Sequence, residues 1–319
     1  MQFHTYEITN NRYLRLREAD SISPEWLTDD IHRWIDITEF QEDELRALLA
    51  PLNLHSDIAD ACSVPHSYPL VINLEQTLFV SIPVQSRGNC LTYLSFLCAP
   101  TTLITIQHDD IFYMDNFANY YKSDRRLIVP NTAGLMLELI DAAGKRMVQP
   151  FFLLRTKVVA MTEQLEEDAS EIDMDHIIGL AREAVQIEIV FQDHQYCLSE
   201  LQSSRSESLA METIRPALTA LIANTDRGTS AINGLQARIR DLNQYHLLHV
   251  EKTTNNRLSV LTLLSAIYLP PTLIAGIYGM NFTNIPIIGM DYGYVLVMGA
   301  MIALVGGQIA FFRYRGWFK

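Results

Sequence analysis

Polar side chains recur at regular intervals in an otherwise apolar segment near the C-terminal end of the chain. Together with two leucines and two glycines, these four polar side chains follow alternating steps of three and four residues, which places all eight positions on one face of a helix. Polar groups in a membrane-spanning helix normally face protein or water rather than lipid, so this face could line a path for a hydrated ion. This stripe consists of Asn255, Leu258, Thr262, Ser265, Leu269, Thr272, Gly276 and Gly279.

The stripe has a second interpretation, because small and hydroxyl-bearing residues also mediate helix packing in membranes. Spacing alone leaves both interpretations open. Two helices cannot enclose a water-filled path, so transport would require several copies of the chain around an axis. In such an assembly, rings of Leu258 and Leu269 could close the path by excluding water.

The segment that contains the stripe has the length and composition of a membrane hairpin. Asp291 is its only formally charged residue from Leu258 to Phe312. Leu258–Tyr278 would be about 31 Å long as a helix, close to the hydrocarbon thickness of a bilayer. Tyr294–Phe312 gives a second span, which contains Gly299, Gly306 and Gly307 among apolar residues and one buried amide, Gln308. We expect it to be an outer, lipid-facing helix that packs closely on its partner. A short external loop would join them.

Basic residues on either side of the hairpin predict its orientation. They are Lys252, Arg257, Arg313, Arg315 and Lys319, whereas the loop contains no lysine or arginine. The excess of positive charge marks the cytoplasmic side, so both termini should face the cytoplasm. The polar N-terminus lacks the features of a signal peptide.

The preceding chain reads as an α/β domain followed by long helices. Apolar runs at Trp34–Thr38, Leu70–Leu74, Leu78–Ile82 and Leu103–Ile106 predict strands, and helical spacing begins near Thr132. The predicted segments are a cytoplasmic α/β domain (1–145), long helices and a stalk (146–257), the first span (258–281), an external loop (282–293), the second span (294–312) and a basic cytoplasmic tail (313–319).

The stalk should be one helix that continues into the first span. Asn224–Asp226 is a cap signal, and Ile232, Leu235, Ile239 and Leu242 then form an apolar seam. Pro270–Pro271 interrupts the span, either as a simple kink or as a flexible point in a gating helix.

Composition excludes several other classes of protein. A net charge of −13 and a pI near 5.1 argue against nucleic-acid binding. The four cysteines form no metal-binding or disulfide pattern, so reduced thiols are expected. Motifs of phosphate loops, serine hydrolases and zinc proteases are absent from the sequence, which argues against an enzyme. A membrane scaffold or receptor that conducts no ions stays an alternative.

The end of the first span has a recognisable motif, Gly279-Met280-Asn281, within Tyr278–Phe282. This tripeptide and the preceding Leu269–Tyr278 resemble the CorA family of magnesium transporters, and the similarity extends over Asn255–Lys319. Magnesium gives up its inner waters reluctantly, so an amide oxygen suits contact with the hydrated ion. Asn281 could instead be a helix C-terminal cap.

The resemblance implies an architecture and a function. It implies a funnel-shaped homopentamer in the inner membrane, with no cofactor, that lets Mg²⁺ enter the cell passively, with cobalt or nickel as incidental substrates. Ion selectivity would come from Gly279, Met280 and Asn281, with Asn281 touching the metal through its hydration waters. The pore-lining positions implied by the family are Asn255, Leu258, Leu261, Thr262, Ser265, Leu269, Thr272 and Gly276. Mg²⁺ would also be a candidate regulatory ion.

Two features leave the ion and its regulation open. Magnesium-transporting members have Met-Pro-Glu in the external loop, whereas this chain has Asn284–Ile288 without a glutamate. That absence resembles the zinc-transporting ZntB branch. A regulatory metal could bind the acidic segment Glu163–Asp175 or the pair His246 and His249, but an exposed charged face and polar packing in the stalk are the favoured explanations of these residues.

Overall fold

A seven-stranded sheet forms the first part of the protein. The structure is a computed structural model, which describes residues 2–18, 21–27, 29–86, 90–167, 173–204, 209–280, 287 and 290–317. The strands are β1 (Gln2–Ile8), β2 (Leu14–Arg17), β3 (Arg33–Thr38), β4 (Leu70–Asn73), β5 (Leu78–Gln85), β6 (Leu91–Cys98) and β7 (Thr102–Gln107). Their order is β2-β1-β3-β7-β6-β5-β4, and only β3 and β7 pair in parallel. The four strands predicted from apolar runs are confirmed.

Both faces of the sheet are buried, which explains why its central strands are apolar without strong alternation. Successive side chains of a strand point to opposite faces. Accordingly, Trp34 and Leu78 belong to one hydrophobic cluster, whereas Ile35 and Phe79 belong to another. Each fully buried side chain of this size stabilises the fold by about 1.5–3 kcal/mol.

Helices cover the sheet on both sides. The cluster on one face includes Leu45 of α1 (Glu42–Leu49) and Ile58 of α2 (Ser56–Ser63). The cluster on the other face includes residues of α3 (Phe112–Ser123), α4 (Thr132–Glu167) and α5 (Met174–Ser203). The result is a three-layered α/β domain, as predicted.

The last two helices are α6 (Met211–Tyr278) and α7 (Gly293–Tyr314). With 68 residues, α6 is about 100 Å long. Both contain an apolar stretch long enough to cross a membrane. The prediction that the stalk helix continues into the first span is confirmed, and α7 is slightly longer than the predicted second span.

The predicted start of the stalk helix was wrong, because α6 begins at Met211 and the cap signal lies inside it. The three side chains of that signal form other hydrogen bonds. Asn224 accepts from Arg227, the Thr225 hydroxyl donates to the carbonyl of Leu221 at 3.1 Å, and Asp226 accepts from Gln195 of α5 at 2.8 Å.

The predicted apolar seam of α6 is confirmed. Ile232, Leu235, Ile239 and Leu242 are all buried in a cluster with side chains of α4 and α5. Just before the seam, a Cβ at Gly228 would lie 2.3 Å from a ring carbon of the buried Phe191. Glycine at this position therefore allows α6 to approach α5 closely.

The chain divides into two compact units, Met1–Asn243 and Gln244–Lys319. The first contains the sheet, α1 to α5 and the beginning of α6. The second contains the rest of α6 together with α7, and hence both apolar stretches and the whole of the polar stripe.

Candidate ion pathway

The stripe lies on one continuous helical face of α6, and its side chains are exposed within the single chain. Thr262, Ser265 and Thr272 are all exposed. The side chain of Leu269 is 69% exposed although it is large and apolar. Leu269 belongs to a continuous stretch of exposed apolar side chains that includes Val260, Leu264 and Leu273, and an apolar surface of this extent indicates contact with a bilayer or with another protein copy.

A different face of α6 is partly buried. Leu263 is 9% exposed. Ala266, Ile267, Pro270 and Ile274 are half-buried. At about 100° per residue, the centre of this face lies roughly 140° around the helix from the centre of the stripe. The stripe therefore points away from the face that α6 buries within its own chain.

Each hydroxyl group of the stripe donates a hydrogen bond to its own helix. Thr262 donates to the carbonyl of Leu258 at 2.8 Å, Ser265 to that of Leu261 at 2.9 Å, and Thr272 to that of Tyr268 at 2.7 Å. A hydroxyl has one donor and two acceptor lone pairs. Since the donor is used internally, the outward-facing oxygens act as acceptors.

The other positions predicted to line the pore also lie on or beside this face. Asn255, Leu258 and Leu261 are exposed on α6 before the hydroxyl groups, and Gly276 is exposed after them. A Cβ at Gly276 would meet no described atom within 4 Å. Within the part of the chain that the structure describes, no contact requires glycine at this position.

The motif at the end of α6 is described only in part, since Asn281 lies outside the described residues. The amide of Gly279 donates to the carbonyl of Ala275 at 2.9 Å, and a Cβ there would lie 3.1 Å from the same oxygen. Close approach of this carbonyl, not a left-handed backbone, favours glycine at this position. The side chain of Met280 is 49% exposed.

The second helix contacts α6 through Gln308 and through larger apolar side chains. Its half-buried side chains are Val297, Met301, Leu304, Val305, Gln308 and Phe312. By contrast, Gly299, Gly306 and Gly307 are exposed, and a Cβ at any of them would lie within 4 Å of no atom of the described residues. These glycines therefore lie on the side of α7 that faces away from α6.

A hydrogen bond that the sequence analysis missed joins the two helices. Nε2 of Gln308 donates to the backbone carbonyl of Ala266 at 3.0 Å. The sequence offered one signal for it. Pro270 has no N–H to give that carbonyl, which lies four residues before it, so a polar side chain from elsewhere was needed.

The described residues contain no group of three His, Cys, Asp or Glu side chains placed to hold a metal ion. In the acidic segment, Asp173 caps α5 by accepting from the amide of Asp175 at 3.2 Å, while residues 168–172 lie outside the described parts of the chain. His246 is 9% exposed and its Nδ1 has no partner within the described structure. Regulatory metal binding at either place stays a prediction.

The sheet domain buries ionisable groups whose roles are structural. Asp36 is almost fully buried and accepts hydrogen bonds from Thr105 at 2.5 Å and from Gln107 at 2.8 Å. Burial raises the pKa of Asp36 to about 6, although these two hydrogen bonds oppose the shift. Burial also raises the pKa of the thiols to about 12 at Cys62, Cys98 and Cys197.

Known proteins match nearly the whole length of the chain. The family described as CorA-like Mg²⁺ transporter protein matches residues 29–314. The cobalt/magnesium transport protein CorA of Thermotoga maritima is 23% identical, over 98% of this chain and 90% of that protein.

Two solved structures share the fold. The complete CorA magnesium transporter of Methanocaldococcus jannaschii has a TM-score of 0.80 at 18% identity, covering 99% of each chain. The cytoplasmic domain of ZntB from Vibrio parahaemolyticus has a TM-score of 0.62 at 13% identity, covering 78% of this chain and 98% of that one.

The fold alone would not separate the two branches, since both structures resemble the chain. The family match shows which family the chain belongs to, because the match extends from the sheet domain through both apolar helices. The chain belongs to the CorA-like Mg²⁺ transporter family, a family of membrane transporters and not of enzymes.

Proposed function

We propose that the chain is one subunit of a passive membrane channel for divalent metal ions, with Mg²⁺ as its main substrate and cobalt or nickel as incidental ones. The observation that carries this proposal is the stripe on α6, whose hydroxyl groups face away from the side that α6 buries in its own chain. Helix packing within one subunit does not account for them. A water-filled path between several subunits does.

The hydrogen bonding of the stripe suits a hydrated cation. Water bound to a metal ion points its hydrogens outward, so the groups around it must accept hydrogen bonds. Thr262, Ser265 and Thr272 offer acceptors because their donors are used by backbone carbonyls. Mg²⁺ keeps several waters when it binds proteins. A row of neutral acceptors would therefore let the ion pass without holding it in place.

The residue types in and around the two spans favour magnesium over zinc. No histidine or cysteine occurs from Val250 to Lys319. Zinc sites in proteins are built mainly from these two residue types, whereas magnesium sites are built from oxygen ligands and water. Asn281 would supply such oxygens as a ring at the external mouth, and would touch the ion through its hydration waters.

The assembly that this function requires is a homo-oligomer. We propose the homopentamer that resemblance to the family implies, with the first span of each subunit around the axis and α7 towards the lipid. The sheet domain and both termini would be cytoplasmic, as the basic residues beside the spans indicate. The inner membrane potential would then drive uptake, at about 4.6 kcal/mol for a divalent ion per 100 mV.

Uptake into proteoliposomes that contain the full-length protein tests the proposal. With an inside-negative potential, Mg²⁺ should enter faster than Zn²⁺, and Asn281→Ala should abolish the selectivity or the flux. Asn284→Ala, which removes a neighbouring loop asparagine outside the motif, is the matched control and should transport normally.

The results distinguish three alternatives. Zn²⁺ entry without Mg²⁺ entry would place the chain with the ZntB type, which the missing loop glutamate favours. No entry of either ion would favour a scaffold or receptor. Equal uptake by wild type and Asn281→Ala would remove Asn281 from the selectivity mechanism.

A further inference from the structure

Pro270 leaves one backbone carbonyl of α6 without its helical partner. In an α-helix the N–H of each residue bonds the carbonyl four residues earlier, and proline has no N–H. The carbonyl of Ala266 therefore loses its donor, although α6 stays helical to Tyr278. Within a bilayer no water can replace that donor, and an unsatisfied carbonyl there costs several kcal/mol.

Gln308 of α7 supplies a replacement. Its Nε2 lies 3.0 Å from the carbonyl oxygen of Ala266. The other end of the same amide is less favourably placed, because Oε1 is buried with no partner among the described residues. An apolar side chain would avoid the free-energy cost of burying this unpartnered oxygen. The hydrogen bond to Ala266 is the benefit that offsets it.

We propose that Gln308 is a positioning residue, whose side-chain amide replaces the backbone donor that Pro270 lacks and ties α7 to this turn of α6. This turn runs from Ala266 to Pro270 and contains Leu269 of the stripe. A side-chain bond can open by rotation of the side chain, whereas a regular helical bond opens only if the backbone moves. The second helix thus controls how freely α6 bends at Pro270, beside the proposed pathway.

The stability of the full-length protein in lipid nanodiscs tests the hydrogen bond through a double-mutant cycle. Gln308→Met keeps the length of the side chain but removes the donor, and should lower the thermal midpoint by about 2–4 °C. Pro270→Ala restores the backbone N–H to Ala266, so Gln308→Met should cost almost nothing in that background. Pro271→Ala is the matched control. It restores a donor to Ile267 instead, so the full cost of Gln308→Met should persist.

If Gln308→Met lowers the thermal midpoint equally in wild type, in Pro270→Ala and in Pro271→Ala, the proposal is overturned, since Gln308 would then act only by packing. A spectroscopic measurement covers the case in which the variant does not fold. In wild-type protein labelled with ¹³C at alanine carbonyls and ¹⁵N at glutamine side chains, solid-state NMR should show a dipolar coupling between Ala266 and Gln308. Its absence would also overturn the proposal.

The effect on transport rests on the proposed function. Gln308→Met should change the rate of Mg²⁺ uptake at least threefold, and the change should disappear in the Pro270→Ala background. An unchanged rate would contradict the role in positioning even if the hydrogen bond exists. If wild-type protein carries no ion, the channel proposal fails, and the stability cycle and the NMR coupling still decide whether Gln308 replaces the missing donor.

Discussion

The hydroxyl groups of Thr262 and Ser265 lie on one face of α6, and each donates to a carbonyl one turn earlier in the same helix. Both oxygens consequently face outward as acceptors. A pathway for a hydrated cation needs acceptors at successive levels, whereas helix packing needs only small volume. The two interpretations therefore predict different effects when a hydroxyl is replaced by a methyl group of the same size.

Removing a stripe hydroxyl should slow transport. Thr262→Val keeps the shape of the side chain but removes one acceptor from every subunit, and should reduce the rate of Mg²⁺ uptake at least about fivefold, since one hydrogen bond contributes about 1 kcal/mol. Val260→Thr makes the reverse change off the stripe and should transport as wild type does. If both variants transport normally in proteoliposomes, the stripe does not contact the ion.

The four thiols should differ sharply in reactivity. Cys90 is exposed, whereas Cys62, Cys98 and Cys197 are buried. Burial raises the pKa of the three buried thiols to about 12, so they should stay protonated and inert at neutral pH. Labelling of the folded protein with a maleimide should modify one thiol per chain, and labelling after denaturation should modify all four.

The control for thiol labelling is Cys90→Ser, which should leave the folded protein unlabelled. Mass spectrometry of the peptides identifies the labelled residue. Rapid labelling at Cys197, a residue of α5 whose Sγ lies 3.4 Å from the carbonyl oxygen of Ser81 in β5, would contradict the packing described for this domain.

Two glycines of α6 should respond oppositely to alanine. Gly228→Ala would place a methyl group 2.3 Å from the ring of Phe191 and should destabilise the protein by about 1–3 kcal/mol. Gly234→Ala meets nothing within 4 Å and should stabilise α6 by up to about 1 kcal/mol. Thermal or chemical unfolding of the two variants measures the difference. A gain in stability from Gly228→Ala would mean that α5 and α6 are further apart than in this structure.

The buried carboxyl group of Asp36 should make stability depend on pH. Its pKa is about 6 in the folded protein, mainly because of burial, compared with 3.8 as the ordinary value. The folded state thus binds the proton more tightly, and the free energy of unfolding should fall as pH rises from about 4 to about 6. The contribution of Asp36 to this fall is on the order of 2–3 kcal/mol.

Asp36→Asn isolates that contribution. The variant should be less stable than wild type at pH 4. Above pH 6 the difference between them should be much smaller, because wild type loses stability as Asp36 ionises. Asp43→Asn, on the exposed side of α1, is the control for the loss of a carboxylate. Parallel curves of stability against pH for wild type and Asp36→Asn would contradict the prediction.

Much of the architecture could be predicted because the patterns are local. The four apolar runs become strands at nearly the predicted positions, and the seam from Ile232 to Leu242 is buried as its spacing indicates. The strands β1, β2 and β6 were not predicted. In β1 and β2, polar or charged residues are interspersed with apolar ones. The start of α6 was misplaced because Asn224, Thr225 and Asp226 have the residue types of a cap but bond to neighbouring side chains and to their own helix.

Relationships between helices could not be predicted from local patterns. Gln308 and Pro270 were each conspicuous in the sequence, but only the register of α7 against α6 brings the amide to the carbonyl of Ala266. The same register places Gly299, Gly306 and Gly307 away from the contact. Glycines in an apolar helix indicate that some close approach is possible, without indicating which neighbour uses it.

The central claim is that the stripe of α6 faces water along an ion path, and cysteine accessibility tests it most directly. In a Cys90→Ser background, single cysteines at Thr262, Ser265 and Thr272 should react with a small cationic thiol reagent and block Mg²⁺ uptake. Cysteines at Val260 and Leu264, which are exposed on other faces of the same helix, should not. Block that follows the spacing of the stripe would confirm the path. Equal block at all five positions, or block at Val260 and Leu264 alone, would contradict it.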